Sequence, residues 1–283
     1  MLEEQLARKM WHKIGKGLIL LTLVAGAAMY LFPFFWMIAT SLKSPTEIMV
    51  RPPVWWPKTP QWSNYKTALG YFPFWRYLAN TVFLVAMNMI ASLISSSLVG
   101  YAFARLKWPG RDIWFKVLLA TMMLPATVTM IPQFIMFKRF GWLNSYLPLI
   151  VPAFAGTATN IFLMRQFFRT IPNSLSESAK LDGASEFRTF LQIILPNCKP
   201  ALATVAIFSF MGTWNDFMGP LLYINDKMKY TLSYGLRTFQ LQNDNMWHLT
   251  MAASVVVAIP TLLLFFFCQK YFIEGITLTG MKE

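Results

Sequence analysis

The charged residues of this chain fall in clusters, and the gaps between clusters have the length of a bilayer crossing. Lys16 and Lys43 enclose 26 residues without a charge, Arg76 and Arg105 enclose 28, Lys116 and Lys138 enclose 21, and Arg139 and Arg165 enclose 25. A fifth run lies between Lys199 and Asp226 and holds one acid, Asp216; a sixth, of 21 residues, lies between His248 and Lys270. A helix rising about 1.5 Å per residue needs about 20 apolar residues to cross about 30 Å of hydrocarbon. The runs therefore predict an all-α integral membrane protein with six transmembrane helices. A charged fraction of 13%, against roughly 25% in soluble domains, excludes a soluble enzyme.

The net charge of +13 does not point to nucleic acid, because the basic residues sit at the ends of the apolar runs and not along one stripe. Six spans put both termini on one side. That side carries fifteen Lys and Arg and the other ten, so the positive-inside rule places the termini on the cytoplasmic side. Residues 1–16 read as an amphipathic helix on the membrane surface, with Leu2, Leu6, Met10 and Ile14 on one side and Arg8, Lys9, His12 and Lys13 on the other. The apolar stretch that follows continues to Leu42, too long for a cleaved signal, so it is expected to be the first span. The six-span body is assigned to 17–270, with an outward loop at 217–248 and a cytoplasmic tail at 271–283. The Pro-rich connection from Ser44 to Trp75 is expected to be irregular. Cys198 and Cys268 are too few for a disulfide framework.

Catalytic signals are thin. His12 and His248 are the only histidines, so no paired zinc site is encoded, and no Gly-rich phosphate loop is present. The chain is expected to be no enzyme and to bind no metal or cofactor of its own. Polar residues inside the spans are the candidates for a path or a gate: Asn88 and Ser92, which share a helical face with Ser95 and Ser96, and Asn215 with Asp216. A stripe of serines packs helices together as readily as it lines a path. Asp216 lies 17 residues beyond Lys199, roughly 25 Å along a helix and so near the far interface. An ion-coupled carrier using Asp216 is the alternative. Pro125, Pro132, Pro148 and Pro152 are expected to interrupt spans three and four.

The most informative segment is the fourth connection, at 172–196. Ser174 and Glu177 fit a capping box that starts a helix. Asp182-Gly183 supplies the left-handed residue that stops it. A second helix is predicted over 184–195, with Phe187, Phe190, Leu191 and Ile194 on one face and Pro196 ending it. The product is a helix-turn-helix element under the membrane.

Glu177-Ser178-Ala179, then Gly183, then Ile193, Leu195 and Pro196 match the E-A-A-x3-G-x9-I-x-L-P signature at every spacing. The chain thereby resembles the permease subunits of bacterial ABC importers; Ser178 stands where the family most often has alanine. Ser41-Leu42-Lys43 with Glu47, Asn64-Tyr65, Trp214-Asn215-Asp216 and the tail from Tyr271 to Thr277 are similar to the carbohydrate branch, in particular its second, smaller maltose-type permease. The resemblance implies an ABC type I importer-like fold, a second different permease, two ATPase subunits that bind ATP and Mg, and an extracytoplasmic solute-binding protein delivering an oligosaccharide, neutral or acidic. It also implies that the element around Glu177, Ser178, Ala179, Asp182 and Gly183 couples to the ATPase. In the outward loop, Gln242, Asn243 and Asn245 are expected to offer amides to a docked binding protein or its sugar. The tail 276–279 reads as a short extended segment reaching toward the ATPase pair.

Overall fold

The structure is a computed structural model that describes residues 2–242 and 246–280, and among the described residues every regular element is helical. The first helix, α1 (Leu2–Ser41), runs without a break from the amphipathic stretch into the first span. Short helices α2 (Pro45–Met49) and α3 (Ser63–Gly70) follow, so the Pro-rich connection is more ordered than its composition suggests. The long α4 (Phe74–Arg105) is the second span. The third run is not one straight helix: α5 (Arg111–Thr121) and α6 (Ala126–Arg139) meet at 97°. Pro125, extended at φ −61 and ψ 135, heads α6, and a proline disfavours helix in the residue before it.

The fourth span, Leu147–Thr170, is assembled from α7 (Leu147–Ile150), a tight turn at Val151–Ala155 holding Pro152, and α8 (Ala158–Thr170). Beyond α9 (Asn173–Leu181), the fifth span is Glu186–Trp214. It joins α10 (Glu186–Thr189), a π turn at Phe190–Ile194, a 3-10 turn at Leu195–Cys198, and α11 (Lys199–Trp214). The segment expected outside holds α12 (Met218–Tyr223), a turn at Lys227–Lys229, and α13 (Leu232–Gln242). The last helix, α14, runs Trp247–Gly280 and contains the sixth span, Trp247–Lys270. Residues 276–279 are therefore helical and not extended, because the i to i−4 ladder of the span simply propagates through them. Counting the bent pair as one, six crossings are present among the described residues.

Two compact units can be distinguished. One comprises Met1–Tyr71 with Phe239–Val257. Here Ser44 and Glu47 form a reciprocal capping box for α2, and Glu47 Oε1 also accepts from the Lys58 amide at 3.0 Å. Asn64 donates from Nδ2 to the carbonyls of Ser41 and Lys43, each at 2.9 Å, and the Ser41 hydroxyl meets the Tyr65 hydroxyl at 2.8 Å. Folding the connection back satisfies the last carbonyl of α1, at Ser41, which no helical partner can reach.

The other unit comprises Phe72–Thr238 with Ala258–Glu283, and α4 is its hub, packed along α8 and α11. The close approach to α8 depends on Gly100, where a Cβ would lie 2.8 Å from Met164 Cβ and 3.1 Å from the Arg165 amide nitrogen. Small residues let membrane helices approach in this way. Tyr101, Met164, Phe168, Phe190, Ile194, Cys198 and Val205 bury a common core beside that contact.

Candidate functional site

The 172–196 segment forms at one end of α4. Its first helix begins two residues earlier than expected and without the capping box: Pro172 occupies the cap position and makes no side-chain cap bond, so Ser174 falls inside the first turn. The other end is as the sequence predicts. Gly183 has φ +78, its amide donates to Lys180 O at 3.0 Å, and the Ala184 amide donates to Ala179 O at 2.9 Å. That pair of bonds is a Schellman ending, which requires the left-handed conformation glycine takes without a Cβ penalty. Glu177, Ser178, Asp182 and Gly183 are exposed while Ala179 is buried, so the small residues of the signature divide between a seat and a displayed face.

The second helix starts at Glu186, with the Ser185 hydroxyl accepting from the Arg188 amide. Pro196 does not end it. The π turn sends the Leu195 amide back to Phe190 O, and the following 3-10 turn takes Pro196 in its first two positions. A proline lacks the N–H and crowds the carbonyl four residues back, and the locally altered pitch removes both conflicts. The same change of pitch splits the expected apolar face. Phe190 and Ile194 are buried; Phe187 and Leu191 are exposed beside Leu93, Ile94 and Leu98 of α4 in an open apolar groove. Ile193 and Leu195 are half-buried against the core, and Pro196 is exposed.

Residues that sequence reasoning did not single out tie this element to the bundle. Arg105, the last residue of α4, donates to the Phe168 carbonyl at 2.7 Å, to the Ile171 carbonyl, and to the Asn173 side chain. It thereby satisfies carbonyls at the end of α8 and holds the first residue of α9. Tyr101 donates to Glu186 Oε2 at 3.1 Å, and the other carboxylate oxygen of Glu186 pairs with Lys180 at 2.5 Å. At the tip of the element Leu181 is 90% exposed.

The polar stripe of α4 is buried throughout, at Asn88, Ser92, Ser95 and Ser96. Ser95 donates to Ala153 O at 3.1 Å, Ser209 of α11 reaches the Ser92 hydroxyl at 3.4 Å, and Asn88 donates to Leu84 O of its own helix at 2.9 Å. Ser92 and Ser95 thus face α11 and the turn before α8. Asn88 and Asp216 line one small cavity of about 110 Å³ with Thr213 and Thr231. Asp216 Oδ1 accepts from the Gly219 amide at 2.9 Å, which places the carboxylate at the start of α12. Burial pushes its carboxyl up, and the Gly219 and Met218 amides pull the other way. Asn215 is exposed and donates to Met211 O, closing α11.

This cavity meets α4 at Leu84 and Asn88, and the 228–232 segment is held nearer the end of α4 that lies away from the 172–196 element. Asn80 donates to the carbonyls of Met228 and Tyr230, each at 2.9 Å, and the Thr81 hydroxyl accepts from the Leu232 amide at 2.9 Å. From Asn80 to Tyr101 is 21 residues, about 32 Å of helix. Gln242 is the last residue of α13, and Asn243 and Asn245 lie outside the described residues.

Residues 96–277 match the family of the binding-protein-dependent transport system inner membrane component. The arabinooligosaccharides transport system permease protein AraQ of Halalkalibacterium halodurans is 32% identical over 256 residues, which cover 89% of this chain and 91% of that one. The trehalose/maltose transport system permease protein MalG of Thermococcus litoralis is 31% identical over 271 residues, covering 94% and 96%. A solved bacterial ABC transporter involved in the import of the acidic polysaccharide alginate has a chain that superposes with a TM-score of 0.81 at 26% identity, over 92% of this chain and 97% of that one. These relatives are transport proteins and not enzymes. The chain belongs to the family of binding-protein-dependent transport system inner membrane components, and it is similar over nearly its whole length to the permease subunits of sugar ABC importers.

Proposed function

We propose that this chain forms half of the translocation path of an ATP-driven importer. A second, different permease supplies the other half, two ATPase subunits bind ATP and Mg in the cytoplasm, and an extracytoplasmic solute-binding protein delivers the cargo. Relatives named for arabinooligosaccharides and for trehalose/maltose support an oligosaccharide as that cargo. Both termini and the 172–196 element lie on the cytoplasmic side, as the excess of basic residues there favours.

The observation that carries this reading is the construction of the 172–196 element. Its tip displays Leu181, while its base is fastened to α4 and α8 through Arg105, Asn173, Tyr101 and Glu186. A push on the tip by a closing ATPase is therefore delivered to a helix whose far end holds the 228–232 segment. Glu177, Ser178, Ala179, Asp182 and Gly183 shape the docking face, and Ile193, Leu195 and Pro196 join it to the fifth span. Asn88, Ser92, Asn215 and Asp216 belong to the path or its gate. Gln242, Asn243 and Asn245 meet the binding protein. Asp216, bonded to the start of α12, serves a helix-end and gate role in place of ion coupling.

Cysteine crosslinking in the assembled complex tests the arrangement. Leu181→Cys should crosslink to the ATPase and Leu221→Cys, in α12, should not. The reverse pattern would overturn it.

A further inference from the structure

Between Glu186 and Lys199 the fifth span changes pitch three times, from the α turn at Glu186–Thr189 to a π turn at Phe190–Ile194, a 3-10 turn at Leu195–Cys198, and α again from Lys199. Changes of this kind inside a helix mark hinges and functional sites. The backbone ladder is weakened there as well. Pro196 brings no amide, and side chains reach back to the carbonyls: Asn197 Nδ2 donates to Ile193 O at 2.6 Å and Cys198 Sγ to Ile194 O at 3.2 Å. Thr189, just ahead of the π turn, is fully buried, yet among the described residues its hydroxyl has no partner. A helical threonine can give that hydroxyl to the carbonyl three or four residues back, and leaving it buried and unpaired is costly.

The two sides of this junction differ. Phe190, Ile194 and Cys198 are buried in one core with Tyr101 and Phe168, so the inner side is pinned to α4 and α8. Those two helices and the 172–196 element are fastened to one another by the close approach at Gly100 and by the bonds of Arg105 and Tyr101. The outer side is open. Leu191 and Leu195 face the apolar groove, a space of about 550 Å³ that α4 lines with Ile94 and Leu98 and α11 with Ala203 and Ala206. Small residues let membrane helices approach closely, and these two alanines leave α11 room to do so. Farther along, the Ser209 and Ser92 hydroxyls join α11 to α4 at 3.4 Å, long for a hydroxyl pair.

We propose that residues 190–198 are a hinge on which α11 swings toward α4 and closes the apolar groove, while α4, α8 and the 172–196 element stay one body. Asp216, just past the end of α11, shares its cavity with Asn88 of α4, so the swing reshapes that cavity. A rotation of about 10° at Lys199 carries residue 212, about 20 Å along the helix, by about 3 Å. The inference rests on the importer reading for the force that drives the swing, which ATPase closure supplies.

The test uses the assembled complex in nanodiscs, in a Cys268→Ser background, with pairs of spin labels. Gln166→Cys in α8 with Gly212→Cys in α11 reports the swing, and Gln166→Cys with Ile90→Cys in α4 is the fixed reference; all three positions are exposed. Between the nucleotide-free complex and the complex trapped with ATP and vanadate, the first distance should change by about 3 Å and the second should stay. Ala206→Phe fills the groove and should abolish the change together with uptake while ATP hydrolysis continues; Ala206→Ser should keep both. Pro196→Ala, which restores an amide to the ladder, should cut the change by more than half. A first distance that stays fixed, or two distances that change together, overturns the inference, and so does a full change in Ala206→Phe. Should Ala206→Phe fail to assemble, the native distances and Pro196→Ala decide. ATP-dependent uptake by a native complex whose two distances stay fixed sinks the hinge alone, and a native complex with no ATP-dependent uptake sinks the proposed function.

Discussion

Replacing Gly183 with valine perturbs the 172–196 element without touching the bundle. At φ +78 a Cβ on residue 183 would meet nothing within 4 Å, so the substitution introduces no clash and its whole effect is backbone strain. A β-branched residue held there costs about 1–3 kcal/mol. At about 2 kcal/mol the Schellman ending, with its bonds from Gly183 to Lys180 and from Ala184 to Ala179, is disfavoured about thirtyfold against a relaxed turn. Relaxing it releases the angle between α9 and α10 and misplaces Leu181. The six crossings are held in the bilayer by the burial of whole apolar helices, against which this strain is small, and should insert normally. Gly183→Val should therefore reach the membrane at near-native level with sugar uptake lost, and the ATPase should be either released or active without transport. Gly183→Asn, which tolerates the left-handed region, should retain most uptake. Membrane level, ATPase co-purification and uptake are measured side by side. Normal transport by Gly183→Val would refute the reasoning.

Further outcomes follow from the same contacts. Arg105→Met removes charged hydrogen bonds to the Phe168 and Ile171 carbonyls and to Asn173, each of the kind worth about 1.5–3 kcal/mol; the purified complex should melt several degrees lower, and an unchanged melting temperature would contradict the anchoring role. Gly100→Val drives side-chain carbon into Met164 and the Arg165 backbone, so overpacking of about 1–3 kcal/mol should cut the amount of folded permease, whereas Gly212→Val, with nothing within 4 Å, should not. The Lys58 and Ser44 amides hold the Glu47 carboxyl below the usual carboxylate value. Its bonds are therefore complete above about pH 4.3 and are lost as the pH falls through the lower folded value, so amide exchange at Lys58 should be slow at pH 7 and rise only in stronger acid. Fast exchange at Lys58 already at pH 7 would contradict that bonding.

The crossings are legible because bilayer thickness acts on the sequence directly, and Gly183 is legible because a left-handed residue after a short helix is a local requirement. The start of α9 departs from the local pattern for a tertiary reason: Pro172 already supplies the extended cap, and the Asn173 side chain is taken by Arg105. A true capping box exists instead at Ser44 and Glu47, hidden among prolines that read as loop. Pro196 looks like a stop because its local chemistry is a stop; a π turn upstream lets the fifth span pass through it. Nothing local distinguishes Arg105, which binds the end of α8, from an arginine placed by the positive-inside rule. Nor does the sequence show that Lys43, at the end of a span, is folded under Trp36 by the hydrogen bonds from Asn64.

Transport in proteoliposomes tests the central claim most directly. With the purified complex, the loaded binding protein outside and ATP inside, oligosaccharide uptake should track ATP hydrolysis and persist when ionophores collapse every ion gradient. Uptake that proceeds without ATP and stops with the ionophores would contradict the account and assign the work to Asp216.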